Sequence, residues 1–319
     1  MLTPNEAEIF SRLDLAFASF LSQRTTLDAP RKKALETLLA TLSQQQHQGH
    51  NCIEINDTYK TMLLDSGLAD EHPATASQTY PLVIEQNRLY LHRYWFYEDR
   101  LAKQIKQFAH IFKPVENLDN LLDRYFGVNA TETDWQREAA KIAAQQAFCI
   151  ITGGPGTGKT TTICRILALL QELADESLLI ALAAPTGKAA MRLQEAIALN
   201  KADIVCPDSI KAQIPQTAIT LHRLLGAKPP SPYFRHDARN PLVFDLVVVD
   251  EASMVDLALM SKLVDALKPG ARLILLGDKD QLASVESGAV LADLIAALPD
   301  NTVELRQSYR FDDDIKKLA

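Results

Sequence analysis

The spacing of hydrophobic and polar positions changes about a third of the way along the chain. Before residue 114, apolar residues recur at helical spacing in residues 6–21 and 31–42. The segment "CIEI" predicts a short strand, "YPLVIEQNRLYLHRYW" predicts a hairpin that turns at Gln86 and Asn87, and "YEDRLAKQIKQFAHIF" predicts a further helix. These elements predict a small mixed, mainly helical amino-terminal domain that spans residues 1–113.

Aromatic residues are concentrated around the predicted hairpin. This region holds Tyr90, Tyr94, Trp95, Phe96 and Tyr97. Such side chains either fill a small core or form a docking face, because aromatic residues are enriched at interfaces between proteins. The sequence leaves both interpretations open.

From Pro114 onward, continuous apolar runs alternate with helical segments. Continuous apolar runs are typical of strands that are buried on both faces, and such strands occur in parallel sheets covered by helices. Residues 114–319 are therefore expected to form an α/β domain. Its predicted strands begin at Phe148, Leu178, Val243, Ala271 and Asn301.

Charge and cysteine content narrow the classes of function. The 319 residues carry a net charge of −7, which argues against DNA binding by bulk positive charge and leaves only local contacts. The four cysteines form no C-x-x-C pattern, and His47, His50 and Cys52 lie in a Gln-rich segment, so a structural metal site is disfavoured. The sequence shows no secretory leader and no long apolar run, which predicts a cytoplasmic protein without a membrane segment.

Residues 153–160, "GGPGTGKT", fit the phosphate-binding pattern G-x-x-x-x-G-K-T directly after a predicted strand and at the start of a predicted helix. Glycines let backbone N–H groups turn toward a phosphate, and the start of a helix favours negative charge. Lys159 is expected to bridge the β and γ phosphates of ATP, and the Thr160 hydroxyl is expected to ligate Mg²⁺. The predicted nucleotide-binding residues are Gly153, Gly154, Pro155, Gly156, Thr157, Gly158, Lys159, Thr160 and Thr161.

Two further strand ends carry polar groups that suit hydrolysis of ATP. "LVVVDEAS" places Asp250 where it can hold Mg²⁺ and Glu251 where it can act as a base toward water. A phosphotransferase would not need a base directed at water, so this pair favours hydrolysis. "LLGDKDQL" places Gln281 where an amide can contact both the γ-phosphate and the water. An ordinary polar turn is the alternative interpretation of this last segment.

The ordered segments "GGPGTGKT", "APTGKAA", "TLHRLLG", "VVVDEASM", "GDKDQLASVESGAVLADL" and "QSYRF" resemble the first, RecA-like motor domain of superfamily 1 helicases. They are most similar to the RecD family, the alpha subunits of exodeoxyribonuclease V. The amino-terminal "NRLYLHRYWFYEDRLA" is similar to that family as well. The resemblance implies an ATP-driven 5′-to-3′ helicase subunit that acts on single-stranded DNA and DNA ends in double-strand-break repair, with RecC-like and RecB-like partners. The front domain is expected to dock on the RecC-like subunit.

The resemblance also implies roles for individual residues. Gln136 matches a glutamine that recognises adenine, although it also fits an exposed residue at a helix start. Arg310 matches an arginine finger, although it could instead pair with Asp312 or Asp313. Lys188 and Arg223 also fit solvated surface charges. The residues that match DNA-contacting positions are Thr186, Gly187, Lys188, Thr220, His222 and Arg223.

Two features depart from the family pattern. The connection between "VLADL" and "QSYRF" is short, and the chain stops at Ala319, soon after Arg310. We therefore expect an amino-terminal fragment that lacks the second motor domain. The alternative functions are a stand-alone RecD-like helicase and a nucleotide-gated assembly module that performs no mechanical work.

Overall fold

The computed structural model describes residues 10–71, 79–128, 134–281 and 290–306. The chain divides into two compact units. The first is drawn mainly from Met1–Arg100, and the second from Leu101–Val255, Leu259–Leu282 and Val290–Ala319. The domain boundary expected at residues 113 and 114 stays a prediction. Within the described residues, no helix is long and apolar enough to span a membrane.

Two packed helices open the first unit. Helix α1 (Arg12–Ser22) begins at Ser11, whose side chain and that of Asp14 cap each other's backbone N–H groups. Helix α2 (Ala29–His47) begins after Asp28 and extends five residues beyond its predicted end. Residues 6–9 of the first predicted helix lie outside the described residues. Both helices bury leucines in a core that is separate from that of the second unit.

A four-stranded sheet completes the first unit. Its order is β1-β4-β3-β2, with β1 at Cys52–Glu54, β2 at Ala69–Asp70, β3 at Leu82–Glu85 and β4 at Arg88–Leu91. The predicted hairpin is present between β3 and β4, and Gln86 in its turn has a positive φ of 56°. Helix α3 (Asp57–Asp65) and strand β2 were not predicted, because each is too short to show a clear period.

The hairpin ends earlier than the sequence predicted. Helix α4 (His92–Ala109) begins directly after β4, so Tyr94 and Trp95 lie in this helix, with Phe96 and Tyr97, rather than in the hairpin. Tyr90 remains on β4, where it is buried, whereas Phe96 is exposed. Tyr90 therefore fits the interpretation as a core residue, and Phe96 fits the interpretation as part of a docking face.

The second unit contains a six-stranded parallel sheet with the order β10-β5-β9-β8-β6-β7. This sheet confirms the predicted fold class. The edge strand β7 was not predicted, because it has only three half-buried residues. The strands are β5 (Phe148–Thr152), β6 (Ile180–Ala184), β7 (Ala218–Thr220), β8 (Leu246–Val249), β9 (Arg272–Gly277) and β10 (Thr302–Glu304).

Helices flank this sheet and share its core. Helix α7 follows β5 and buries nine residues, which makes the phosphate-loop helix one of the most enclosed elements of this unit. The carboxyl ends of the parallel strands meet at one edge of the sheet, where ligands bind in open α/β folds. The helices are α5 (Leu118–Phe126), α6 (Trp135–Gln145), α7 (Lys159–Leu173), α8 (Gly187–Asp203), α9 (Asp208–Gln213), α10 (Leu221–Leu225), α11 (Leu257–Asp265) and α12 (Val290–Ala297).

Candidate nucleotide site

The loop between β5 and α7 is wrapped tightly by its surroundings. A Cβ atom on Gly153 would lie 2.8 Å from the Leu305 carbonyl oxygen and 2.8 Å from Thr157 Oγ1, so a side chain there would displace the backbone. Gly158 adopts a left-handed conformation with φ of 82° immediately before α7. These constraints explain why the loop needs glycine at both positions.

The Lys159 side chain is folded back over the loop. Its Nζ donates to the carbonyl oxygens of Gly153 and Gly154, the latter at 3.0 Å. Thr157 Oγ1 donates to the same Gly154 oxygen at 3.0 Å. The ammonium group is therefore held by two backbone carbonyl oxygens of the loop.

Asp250 and Glu251 follow the carboxyl end of β8. The Asp250 N–H donates to Ala183 O at 2.9 Å, which holds this end against β6. Asp250 Oδ1 accepts from the Glu251 N–H at 2.9 Å. The pKa of Asp250 is raised to about 6, chiefly by burial; the Glu251 N–H and Lys159 oppose the increase, and the Glu251 charge adds to it.

The segment after β9 turns sharply toward the same edge of the sheet. Asp278 Oδ1 accepts from the Asp280 N–H at 3.0 Å, and the Lys279 N–H donates to Thr152 Oγ1 at 3.2 Å. The Lys279 side chain pairs with Glu304 at 2.7 Å, and this pair lowers the pKa of Glu304. The turn that carries Gln281 is thereby attached to the ends of β5 and β10.

One cavity of about 840 Å³ joins these three segments. It is lined by the loop and the first turn of α7, by Asp250 and Glu251, and by Gln281. Each of these residues follows closely on the carboxyl end of a parallel strand, which explains why residues distant in sequence converge here. These three segments therefore offer the Lys159 cation, several backbone and side-chain hydroxyl donors, and the carboxylates of Asp250 and Glu251 around a space of nucleotide size.

Gln136 lies outside this lining. It is in the first turn of α6, where its N–H donates to Asp134 Oδ1 at 2.9 Å. The neighbouring Trp135 ring lies beneath the Arg306 guanidinium, whose Cζ is 4.8 Å from the ring centroid. The structure therefore does not bring Gln136 into the described cavity. Arg310 lies outside the described residues.

The two segments expected to contact DNA follow neighbouring strands. Thr186 caps α8 after β6, and Thr220 caps α10 after β7, where Ala184 and Thr220 are paired in register. Gly187 and Lys188 belong to the first turn of α8. The His222 ring contacts Phe234 edge-on at 5.6 Å. Arg223 donates its N–H to Thr220 Oγ1 at 3.2 Å, and both Lys188 and Arg223 are exposed.

Comparison with known proteins gives two family matches. The amino-terminal domain of the RecBCD enzyme subunit RecD matches residues 6–80, and an AAA domain matches residues 136–287. RecD from Haemophilus influenzae is 38% identical over 91% of this chain and 52% of its own length. RecD from Mycolicibacterium smegmatis is 47% identical over 72% of this chain and 42% of its own length. The chain belongs to the RecD family.

The chain spans about half the length, or less, of the RecD proteins that it matches. A protein described as the ATP-dependent RecD2 DNA helicase of Deinococcus radiodurans is also similar, with 36% identity over 76% of this chain and 30% of its own length. The RecD amino-terminal match lies in the first unit and the AAA match lies mainly in the second, so the family assignment draws on both units.

The donor set at the cavity fits Mg²⁺. This ion prefers oxygen ligands and is often held by one or two carboxylates together with substrate phosphates. Thr160 and Asp250 both line the cavity and supply a hydroxyl and a carboxylate oxygen. Burial raises the pKa of Asp250 even though Lys159 acts to lower it, so this cation of the protein offsets the Asp250 charge only in part.

Five cavity residues of this RecD-family chain were not predicted from the sequence. They lie on α8 at spacings of three and four residues, so they form one face of that helix. The sequence indicates a function only at the start of α8, through the "TGK" segment, and it does not show which face of the helix lines a cavity. These residues are Arg192, Glu195, Ala196, Leu199 and Asn200.

Proposed function

We propose that this chain is the nucleotide-binding part of an ATP-dependent 5′-to-3′ DNA helicase subunit of a RecBCD-type complex. The observation that carries the proposal is the convergence of the phosphate-binding loop, the Asp250–Glu251 pair and Gln281 on one cavity. These are the groups needed to bind a triphosphate and direct water at its terminal phosphorus. The similarity to RecD proteins supports DNA as the polymer on which the ATP-driven motor acts.

The proposed chemistry assigns one task to each group. Lys159 leaves the Gly153 and Gly154 oxygens and contacts the β and γ phosphates. Thr160 and Asp250 hold Mg²⁺, which when bound neutralises phosphate charge. Glu251 accepts a proton from the attacking water, and Gln281 orients that water. The products are ADP and inorganic phosphate, and Glu251 returns the proton to solvent.

The proposal also includes predicted site residues that do not line the described cavity. Gln136 is proposed to contact adenine from the start of α6, and Arg310 is proposed to contact the γ-phosphate. Single-stranded DNA is proposed to lie along the ends of β6 and β7, where backbone amides, hydroxyls and a few cations can hold it despite the net negative charge. The six residues concerned are Thr186, Gly187, Lys188, Thr220, His222 and Arg223.

RecB-like and RecC-like subunits are the proposed partners, and DNA as substrate implies a cytoplasmic site of action. The similarity to the RecD2 helicase keeps a stand-alone helicase as the second candidate. The match of residues 6–80 to the RecD amino-terminal domain favours the multisubunit form. Co-purification of the chain with candidate RecB and RecC chains distinguishes the two functions, because a stand-alone helicase would retain neither.

Lys159→Ala tests the nucleotide site itself. We expect isothermal titration to show Mg·ATP binding by the wild-type chain and a loss of at least about tenfold in the variant, because charged hydrogen bonds to phosphate are among the stronger polar contacts. Lys228→Gln is the control, since Lys228 is exposed and outside the cavity lining. Equal affinities of wild type and Lys159→Ala would remove this cavity as the ATP site.

A further inference from the structure

The face of α8 that was not predicted from the sequence forms one wall of the cavity that the phosphate-binding loop also lines. Arg192, Glu195 and Asn200 supply its polar groups. The other side of the helix is anchored, since Ala189, Ala190, Leu193 and Ile197 are buried. The backbone that carries Arg192 therefore has a fixed position relative to the sheet.

A hydrogen-bonded link fixes the distance between this wall and the loop helix. Thr161 Oγ1, in the first turn of α7, donates to Asn200 Oδ1 at 2.8 Å. Asn200 Nδ2 in turn donates to the carbonyl oxygen of Ala196 at 2.7 Å, which holds the amide in place on α8. A side-chain hydrogen bond thus joins the two helices within the lining of the cavity.

Arg192 is a cation without a partner in this wall. Its side chain is exposed, and among the described residues no carboxylate or carbonyl oxygen pairs with it, not even that of Glu195 one turn away. Lys159, the other cation in the lining, already binds two carbonyl oxygens of the loop. Arg192 is therefore the guanidinium available to a ligand in this cavity.

The topology starts the helix that carries Arg192 beside one particular end of the cavity. Helix α8 follows β6, and β6 pairs with β8, whose carboxyl end carries Asp250 and Glu251. Arg192 is the sixth residue of α8, about 8 Å along the helix at 1.5 Å per residue. In the proposed function this end of the cavity holds the terminal phosphate, because Glu251 and Gln281 act there.

We propose that Arg192 binds the terminal phosphate of the nucleoside triphosphate and so makes the site prefer ATP to ADP. Arginine presents several N–H donors in a planar fork that matches phosphate oxygens, and it stays charged at any physiological pH. The role rests on the proposed function and assigns a specificity-determining contact to a residue outside the phosphate-binding loop. Arg310 is proposed to contact the same phosphate, so Arg192 would supply a second guanidinium there.

The test compares the affinities of the intact chain for Mg·ATP and Mg·ADP by isothermal titration. Arg192→Gln should weaken ATP binding about tenfold, the range for a charged hydrogen bond, and should change ADP binding less than about twofold. Arg192→Lys should recover part of the ATP affinity as a point charge. Lys228→Gln, which removes an exposed positive charge outside the cavity, should leave both affinities unchanged.

The outcomes separate this inference from the proposed function. If wild type binds ATP, Lys159→Ala does not, and Arg192→Gln binds ATP as wild type does, the role of Arg192 is refuted while the site stands. Equal losses of ATP and ADP affinity would place the contact on an earlier phosphate and refute the terminal one. Unchanged nucleotide affinity with weakened binding of a single-stranded oligonucleotide would assign Arg192 to DNA instead. Thermal melting of both Arg192 variants should match wild type, because the side chain is exposed and unpaired.

Discussion

Glu251 has a backbone conformation that few non-glycine residues adopt, with φ at 51° directly before a short 3₁₀ turn. Its N–H donates to Asp250 Oδ1, so the two acidic residues are fixed relative to each other. Backbone strain of this kind is commonly found where a side chain must point in one direction for function. The conformation agrees with the role of a base whose carboxylate has to face one water molecule.

Glu251→Gln keeps the size of the side chain and removes its capacity to accept a proton. We expect Mg·ATP affinity to stay near that of wild type and single-turnover hydrolysis to fall by about 10²- to 10⁴-fold, the contribution typical of a general base. Glu176→Gln is the control, because Glu176 is exposed and outside the cavity lining. A hydrolysis rate within a few fold of wild type would exclude Glu251 from the mechanism.

Asp250 should make the nucleotide-free protein less stable as the pH rises. Folding raises its pKa from 3.8 to about 6, so the folded state binds more protons than the unfolded chain between these values. The free energy of unfolding should therefore fall across this window, by at most about 3 kcal/mol. Asp250→Asn should remove this fall and stabilise the protein at pH 7 by about 1–2 kcal/mol, measured by urea denaturation with a chelator present.

Asp245 provides a control, because its pKa is shifted in the opposite direction to that of Asp250. Burial acts to raise its pKa, but the Lys268 side chain and the Leu179 N–H outweigh this effect and lower it. Its stabilising contribution is present above the pKa of the unfolded chain and is lost as the pH falls. Asp245→Asn should therefore destabilise the protein at pH 7. Destabilisation by both variants would show that burial does not control the charge of Asp250.

The sequence indicated some cavity residues better than others. Lys159, Asp250, Glu251 and Gln281 could be predicted because each follows a buried apolar strand within a few residues, and strand ends of a parallel sheet converge. Arg192 could not, because its place in the cavity depends on which face of α8 turns toward α7. The structure shows that all these residues line one cavity. The role of each of them stays a prediction.

At the scale of elements, the structure shows how α6 is attached to the sheet. Arg272, at the start of β9, donates from Nη1 to the carbonyl oxygens of Ala143, Ala144 and Gln146 at 2.9, 2.9 and 3.0 Å. These oxygens end α6 and would otherwise lack donors inside the protein. Burial of the guanidinium lowers its pKa. The sequence could not reveal this contact, because its partners are backbone atoms more than 120 residues away.

Arg272→Met removes the donor and keeps most of the apolar volume. Leaving three acceptors of a helix end without donors should lower the free energy of unfolding by about 2–4 kcal/mol. Arg239→Met, at an exposed position, should change it by less than about 0.5 kcal/mol. Urea denaturation of the two variants gives the comparison. A similar small effect in both would mean that water replaces the guanidinium at the end of α6.

Elements with a strong period were predicted well, and short ones less consistently. Four of the five predicted strands of the parallel sheet, β5, β6, β8 and β9, have a run of buried apolar residues. The fifth, β10, buries only Val303, and the unpredicted β7 has three half-buried residues. The start of α4 was placed too late, because aromatic residues favour strands in isolation and here occupy helical turns. Packing around these residues decided the outcome rather than local preference.

At the scale of the whole chain, residues 101–113 are part of the second unit, although they precede the change in hydrophobic pattern at Pro114. Asn301 Nδ2 donates to Ala109 O at 3.2 Å, the Lys113 N–H donates to Gln145 O at 2.7 Å, and the Ala147 N–H donates to Ile111 O at 3.1 Å. Leu101 and Ile105 are buried within the same unit. The hydrophobic pattern could not reveal these contacts, because it changes only at Pro114, which follows the contacting residues in the sequence.

Two truncations decide between the boundaries. A chain that begins at Leu101 should retain the contacts of Ala109, Ile111 and Lys113 and should melt in a single cooperative transition. A chain that begins at Pro114 leaves the buried Asn301 amide and the N–H of Ala147 without those acceptors, so its free energy of unfolding should be lower by at least about 2 kcal/mol. Denaturation in urea, with far-ultraviolet circular dichroism to verify helix content, provides the measurement. Equal stability of the two truncated chains would favour the boundary predicted at residues 113 and 114, and would mean that the segment 101–113 contributes nothing to the fold of the nucleotide-binding unit.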